Sequence, residues 1–138
     1  MLGDLISEGR GKITGQRVLE VSAAGAPRIE VSIAGEGKTR GNIEYTEMWT
    51  YWSEQRSGGV QYGEGNGILM TKDGKEVVTM TGQGVGRMTE SGTMRYVGTN
   101  FCTTSSTGKL AFLNNLVGIF EFEVDKENNY HEKVWEWK

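Results

Sequence analysis

Residues 60–88 read VQYGEGNGILMTKDGKEVVTMTGQGVGRM, and this stretch decides the fold. Gly63, Gly65 and Gly67 alternate in its first half, and Gly82, Gly84 and Gly86 alternate in its second. Because side chains on a strand point to opposite faces in turn, each set strips one face of its strand. Between the halves lies Lys72-Asp73-Gly74-Lys75, whose Asp-Gly pair suits the φ > 0 positions of a type I′ hairpin turn. The stretch therefore reads as two antiparallel strands, each bare on one side.

The same spacing recurs at Gly9/Gly11 and Gly35/Gly37, and the 138 residues hold 21 glycines in all. That is about twice the ~7% of an average protein. Period-two alternation between polar or glycine turns continues along the chain and gives strands at 11–21, 28–36, 41–54, 60–71, 76–88, 93–104, 117–124 and 130–137. Further turns are expected at Ala24-Gly25-Ala26-Pro27, Glu90-Ser91-Gly92 and Lys126-Glu127-Asn128-Asn129, and residues 35–41 read either as a hairpin or as one continuous bent strand. Only residues 107–115 depart from alternation. There Leu110 and Leu113 are spaced as one helical turn would place them, so a short helical turn is expected near 109–115. Eight strands with hairpin connections and no long crossover predict an all-β fold, an eight-stranded antiparallel up-and-down closed barrel formed by one domain, 1–138. Closure also removes the unpaired edges of so long a sheet.

Composition narrows the function classes. A single cysteine, Cys102, excludes a disulfide scaffold, and one histidine, His131, with one cysteine leaves no zinc quartet and no metal site. Neither G-x-G-x-x-G nor a P-loop pattern occurs, so no nucleotide cofactor is expected. The net charge of −3 comes entirely from residues 121–138, and the basic residues elsewhere are scattered among acids. Without a basic stripe to displace counterions, nucleic acid is not an expected partner. No apolar run approaches a bilayer span, so no membrane is expected either. Residues 1–10 lack the pattern of a secretory signal and the lone thiol suits a reducing compartment, which makes cytoplasm the expected location.

The segment Ser105-Ser106-Thr107-Gly108-Lys109-Leu110-Ala111-Phe112-Leu113, followed by Gly118-Ile119-Phe120-Glu121, resembles a stretch of the allene oxide cyclase-like and dirigent-like (calycin-type) β-barrels. Asn114-Asn115 departs from that pattern. The resemblance implies an eight-stranded barrel, often oligomeric, whose cavity binds small hydrophobic molecules and in some members guides their cyclisation or coupling. No residue here matches a catalytic motif of that family.

The candidate site residues lie on the aromatic strands. In 41–54 one phase carries Ile43, Tyr45, Glu47, Trp49 and Tyr51. On an inward face, Glu47 is a carboxylate in an apolar cavity, where desolvation favours its neutral form and fits it for proton transfer; on an outward face it is simply solvated. Glu64 has similar status, sharing a face with Tyr62 opposite the bare glycines. Arg95, if buried, needs a carboxylate, and Glu47 or Glu64 supplies one. Tyr45, Glu47, Trp49, Tyr62, Arg95 and Tyr96 are thus the expected ligand-binding residues, with Glu47 and Glu64 the catalytic candidates. Cys102 reads as a packed residue and His131 as exposed. Trp135 and Trp137 share a phase at the chain's end, where they either close the barrel or pair subunits.

Three functions follow from this sequence: a barrel binding a small, largely apolar ligand; a cyclase or isomerase using the same cavity; and a ligand-free oligomeric interaction module.

Overall fold

A computed structural model describes residues 1–22 and 25–138. Eight strands pair in chain order as one closed antiparallel barrel: β1 (Leu2–Ser22), β2 (Gly25–Thr39), β3 (Ile43–Arg56), β4 (Val60–Thr71), β5 (Val77–Met88), β6 (Met94–Thr103), β7 (Val117–Val124) and β8 (Asn129–Trp137). β1 closes the ring by pairing with β8 as well as β2, with Gly9 opposite Glu132 and Gly11 opposite Tyr130. The first two strands are longer than their alternation suggested, and 35–41 resolves as the end of β2 followed by a turn at Gly41 and Asn42, both with positive φ. The connection expected at Ala24-Gly25-Ala26-Pro27 is only partly covered, since Ala24 lies outside the described residues and Gly25 already belongs to β2.

The hairpin joining β4 and β5 forms where expected, but by different geometry. Only Gly74 has positive φ (+73°), so Asp73 does not take a type I′ position. Instead the Asp73 carboxylate accepts hydrogen bonds from the Thr71 hydroxyl (2.7 Å) and the Lys75 N–H (2.9 Å). This is the Asx-turn chemistry by which aspartate imitates a backbone acceptor.

The short helical element is a 3-10 turn, Ala111–Leu113, in the loop between β6 and β7. It plugs one end of the barrel. Leu110 is fully buried there, with Leu113 and Leu116, in a cluster that includes Ile6, Tyr45, Leu69 and Val78. Glu76 ties the plug down by accepting hydrogen bonds from the Leu110 N–H (3.0 Å) and from the Ser106 hydroxyl.

A second apolar cluster fills the other half of the barrel, built on Val31, Ile33, Phe122 and Tyr130. Trp49 packs against both clusters. Between them the inward positions are polar: Glu47 lies between Tyr45 and Trp49 on β3, and Asn100 between Cys102 and Tyr96 on β6. On β8, Glu132 lies between Tyr130 and Val134. All three polar side chains are buried.

The register shows what the glycines do. Trp49 stands opposite Gly67, Tyr51 opposite Gly65, and Gly63 opposite Gly84, so the bare faces of β4 and β5 point into the barrel. A Cβ at Gly67 would run into the Trp49 indole, one at Gly86 would sit 2.7 Å from the Tyr96 ring, and one at Gly84 would sit 2.9 Å from Phe120. On the opposite wall, Gly9 and Gly37 leave room for the Tyr45 hydroxyl, and Gly11 and Gly35 for Tyr130. In so narrow a barrel, large rings fit only where the facing wall carries no side chain.

Candidate functional site

The site is a slot with a polar floor in the half of the barrel away from the plug. Its bare wall is Gly63 and Gly65 of β4 with Gly82 and Gly84 of β5. Facing that wall are Trp49 and Tyr51 of β3, Tyr96 of β6, and Phe120 and Phe122 of β7. Tyr51, Tyr96 and Phe122 form a triangle with ring centroids 6.1 to 6.3 Å apart, the edge-to-face spacing that aromatic rings prefer. Asn100 and Glu132 form the polar floor, Ile33, Glu64 and Gln83 also border the slot, and its volume is about 70 Å³. A second space of about 20 Å³ lies on the plug side and shares Trp49, Asn100 and Glu132, adding Glu47, Ser7 and Thr39.

Glu47 and Glu132 are the electrostatic centre of this arrangement. They are only 3% and 7% exposed, and their carboxyl groups are hydrogen-bonded to each other. Two carboxylates cannot both stay ionised at that distance in an apolar interior, so the pair retains a proton. Burial raises Glu132 well above the usual carboxylate range, and the neighbouring Glu47 charge adds to the rise. Burial raises Glu47 too, but its hydrogen bonds from Tyr130 and Glu132 oppose the rise. The proton belongs to the pair as a whole, while the Tyr130 hydroxyl donates to Glu47 Oε1 at 2.8 Å. Burial and both carboxyl groups push the Tyr45 and Tyr130 phenols far up, so both stay protonated. Among the described residues, no Lys, Arg or His lies within ion-pair distance of either glutamate.

Two further polar groups of this interior lack partners. The Tyr45 hydroxyl and the Trp49 indole N–H are both buried with no hydrogen bond. Such orphans are rare, because each carries the cost of its lost hydration.

The structure brings Tyr45, Glu47, Trp49 and Tyr96 together in the interior and places Tyr62 and Arg95 on the outer face, while Glu64 borders the slot from the outward phase of β4. Tyr62 projects from the outer face of β4, where Arg56 stacks over its ring at 3.9 Å, and Glu64 shares that phase. The physical reason is the filling of this half of the barrel by rings from β3, β6, β7 and β8, which leaves β4 room there only for its glycines, Leu69 entering the core nearer the plug. Arg95 is also outside. Its carboxylate partners are Glu121 at 2.9 Å and Glu123 at 3.8 Å, not Glu47 or Glu64. Glu132 and Tyr130 were missed by sequence reasoning. Trp135 and Trp137 lie on the outer face beside Leu5 and Leu2 and do not close the barrel. Cys102 is buried, which pushes its thiol up to about 11, and exposed His131 meets Glu8 at 2.8 Å.

Comparison with known proteins reaches the fold and stops there. No protein-family model matches this sequence, and no curated protein sequence does. Solved structures do match. A protein of unknown function from Clostridium acetobutylicum ATCC 824 superposes with a TM-score of 0.79 over 98% of this chain and 98% of its own, at 11% identity. A conserved protein of unknown function from Rhodopseudomonas palustris does so with a TM-score of 0.75 over 99% of each chain, at 13% identity. What these proteins share with this chain is the barrel, and the allene oxide cyclase-like or dirigent-like families are not among the findings. Among the described residues no helix is long and apolar enough to cross a membrane.

Proposed function

We propose that this protein binds a small molecule inside its barrel, in the aromatic slot whose floor is Asn100 and Glu132. The observation that carries this reading is the juxtaposition of an unfilled apolar space with a hydrogen-bonded carboxyl pair. A few convergent polar groups in an otherwise apolar cavity are the usual make-up of a ligand site. The resemblance to allene oxide cyclase-like and dirigent-like barrels supports the same use of the interior, and the buried thiol of Cys102 suits a reducing, cytoplasmic setting.

Size limits the occupant. The slot's 70 Å³ is roughly half of a cavity that admits benzene and far below the ~300 Å³ of the smallest drug-sized pockets. The bound group is therefore a few heavy atoms, or the head of a longer molecule.

Native mass spectrometry of protein purified from its own source tests this. The expected result is a bound small molecule that is lost in Gly63→Leu, a position where a new Cβ comes nearest the Trp52 carbonyl at 3.2 Å, with the Ser53 and Tyr51 side chains at 3.9 Å, and the longer chain enters the slot. A wild-type mass equal to the bare polypeptide, together with no perturbation of the Trp49 indole resonance by a small-fragment panel, overturns it.

The carboxyl pair also favours a second reading, an isomerase or cyclase. Glu132 would give a proton to the substrate while Glu47 takes one from it, leaving the pair's proton count unchanged. Turnover surviving in both Glu47→Gln and Glu132→Gln removes this reading.

A further inference from the structure

Half-buried carboxylates among the described residues meet cations, as Glu54 meets Arg28 and Arg56 and Glu30 meets Arg17. The most deeply buried carboxyl pair does not. A buried anion without a cation takes up a proton instead, and that proton can be displaced by a cation of another origin. The space beside Glu132 is walled by the rings of Trp49, Tyr51, Tyr96, Phe120 and Phe122. Aromatic faces attract cations, most strongly where water is excluded, and rings gathered around a carboxylate form the usual receptor for an ammonium group. Cations of the protein already stack on outer-face rings, Arg28 over Trp52 at 4.3 Å and Arg56 over Tyr62 at 3.9 Å. The rings of the slot hold none.

We infer that the slot recognises a small organic ammonium group, held by these five rings and by Glu132. The inference rests on reading the slot as a ligand site and adds the ligand's charge. A carboxyl pair beside five aromatic rings fits an organic cation. The groups facing the pair are Tyr45 from β3, Tyr130 from β8, Ser7 from β1, Thr39 from β2, and Asn100 and Cys102 from β6. None of them is cationic. On this inference the ammonium ion takes the place of the pair's proton, which passes to solvent, and the net charge of the interior is unchanged.

The experiment compares isopropylammonium chloride with isopropanol, which has the same shape without the charge. Binding is followed by the Trp49 indole resonance and by calorimetry in two buffers of different ionisation enthalpy. The ammonium is expected to bind at least about tenfold more tightly than the alcohol and to release about one proton. Its affinity rises about tenfold per pH unit while the pair remains protonated. Glu132→Gln is expected to remove most of this preference; Tyr51→Leu weakens binding and Tyr51→Phe preserves it, which covers the case in which the glutamate variant fails to fold. Equal binding of the alcohol, or binding without proton release, overturns the ammonium assignment and leaves the small-molecule reading standing. Binding of neither probe overturns the ammonium assignment, and only an empty protein by native mass spectrometry overturns both.

Discussion

Replacing Glu132 with glutamine isolates the shared proton. In the unfolded chain a glutamate titrates near 4.3, so above that pH both carboxyl groups are ionised. In the folded protein burial and the adjacent Glu47 hold a proton on the pair to much higher pH. The folded state then binds more protons than the unfolded one, and stability falls as pH rises, from about pH 4.5 up to the pH where the folded pair ionises. One retained proton costs about 1.4 kcal/mol for each pH unit through which the folded pair keeps it, hence about 3 kcal/mol over two such units. That is a large share of the 5–15 kcal/mol of a typical domain. In Glu132→Gln the introduced amide still donates to Glu47 but carries no titrating proton, so this slope shrinks to what the burial of Glu47 alone leaves. Urea unfolding followed by tryptophan fluorescence at pH 5, 6, 7 and 8 is expected to give crossing curves, wild type more stable at the acid end and the variant at the basic end. Glu54, Asp73, Glu76 and Asp125, which hydrogen bonds hold below the usual range, lose their contribution only as pH falls below that range, outside this window. A wild type whose stability is flat or rising from pH 5 to 7, or a variant that runs parallel to it, refutes the reasoning.

Tyr130→Phe removes the hydroxyl that donates to Glu47; a loss of about 1.5–3 kcal/mol is expected, with the carboxyl carbon shifts of the pair titrating at higher pH than in wild type. Gly35→Ala places a methyl against the Tyr130 hydroxyl and the Arg10 carbonyl and is expected to cost about 1–3 kcal/mol in chemical denaturation. Gly15→Ala, whose Cβ meets nothing within 4 Å, is its control and should stay within about 0.5 kcal/mol of wild type. Glu76→Gln weakens the acceptor of the Leu110 N–H, so hydrogen exchange at Leu110 should quicken while that of β3 and β4 does not. Because Glu76 titrates below its usual range, the wild-type plug should loosen only on acidification through that range, and the variant should not respond.

The barrel was legible in the sequence because its two signals agree: alternation along the strands, and glycines spaced to strip one face. The direction of that stripped face was not legible. On β4 the side chains Tyr62, Glu64, Ile68 and Met70 look like a lining, and the bare positions look like an exterior. The inside turned out to be the bare face because volume within eight strands is scarce and other strands had already claimed it. Glu47 could be found, since it interrupts an aromatic phase of β3 that has an interior to fill. Glu132 could not. Its phase on β8, Tyr130, Glu132, Val134 and Glu136, alternates two acids with two apolar residues, while the opposite phase carries two tryptophans that draw the eye inward. Only the register, which sets Glu132 opposite Gly9, shows which of the two faces the core.

The polar layer is the one level at which this chain departs from consistency with its fold. Strand alternation, turn residues and ring-on-glycine packing all point to a filled, apolar barrel, and two hydrophobic clusters occupy its two halves. Between them lie two carboxyl groups, a carboxamide and two orphaned donors where apolar side chains of like volume would pack without loss. Replacing a buried ionic or acidic group by a well-packed apolar one is commonly neutral or stabilising. Stability alone therefore does not account for Glu47 and Glu132, and departures of this kind concentrate at functional sites. The larger void adjoins this layer on the side away from the plug, and only the small one reaches Leu113 and Leu116. Room and unsatisfied polarity coincide at one level of the barrel, so the glycines of β4 and β5 do more than admit the barrel's own rings: between Gly63 and Gly84 they leave the one wall of that level with no side chain in the way.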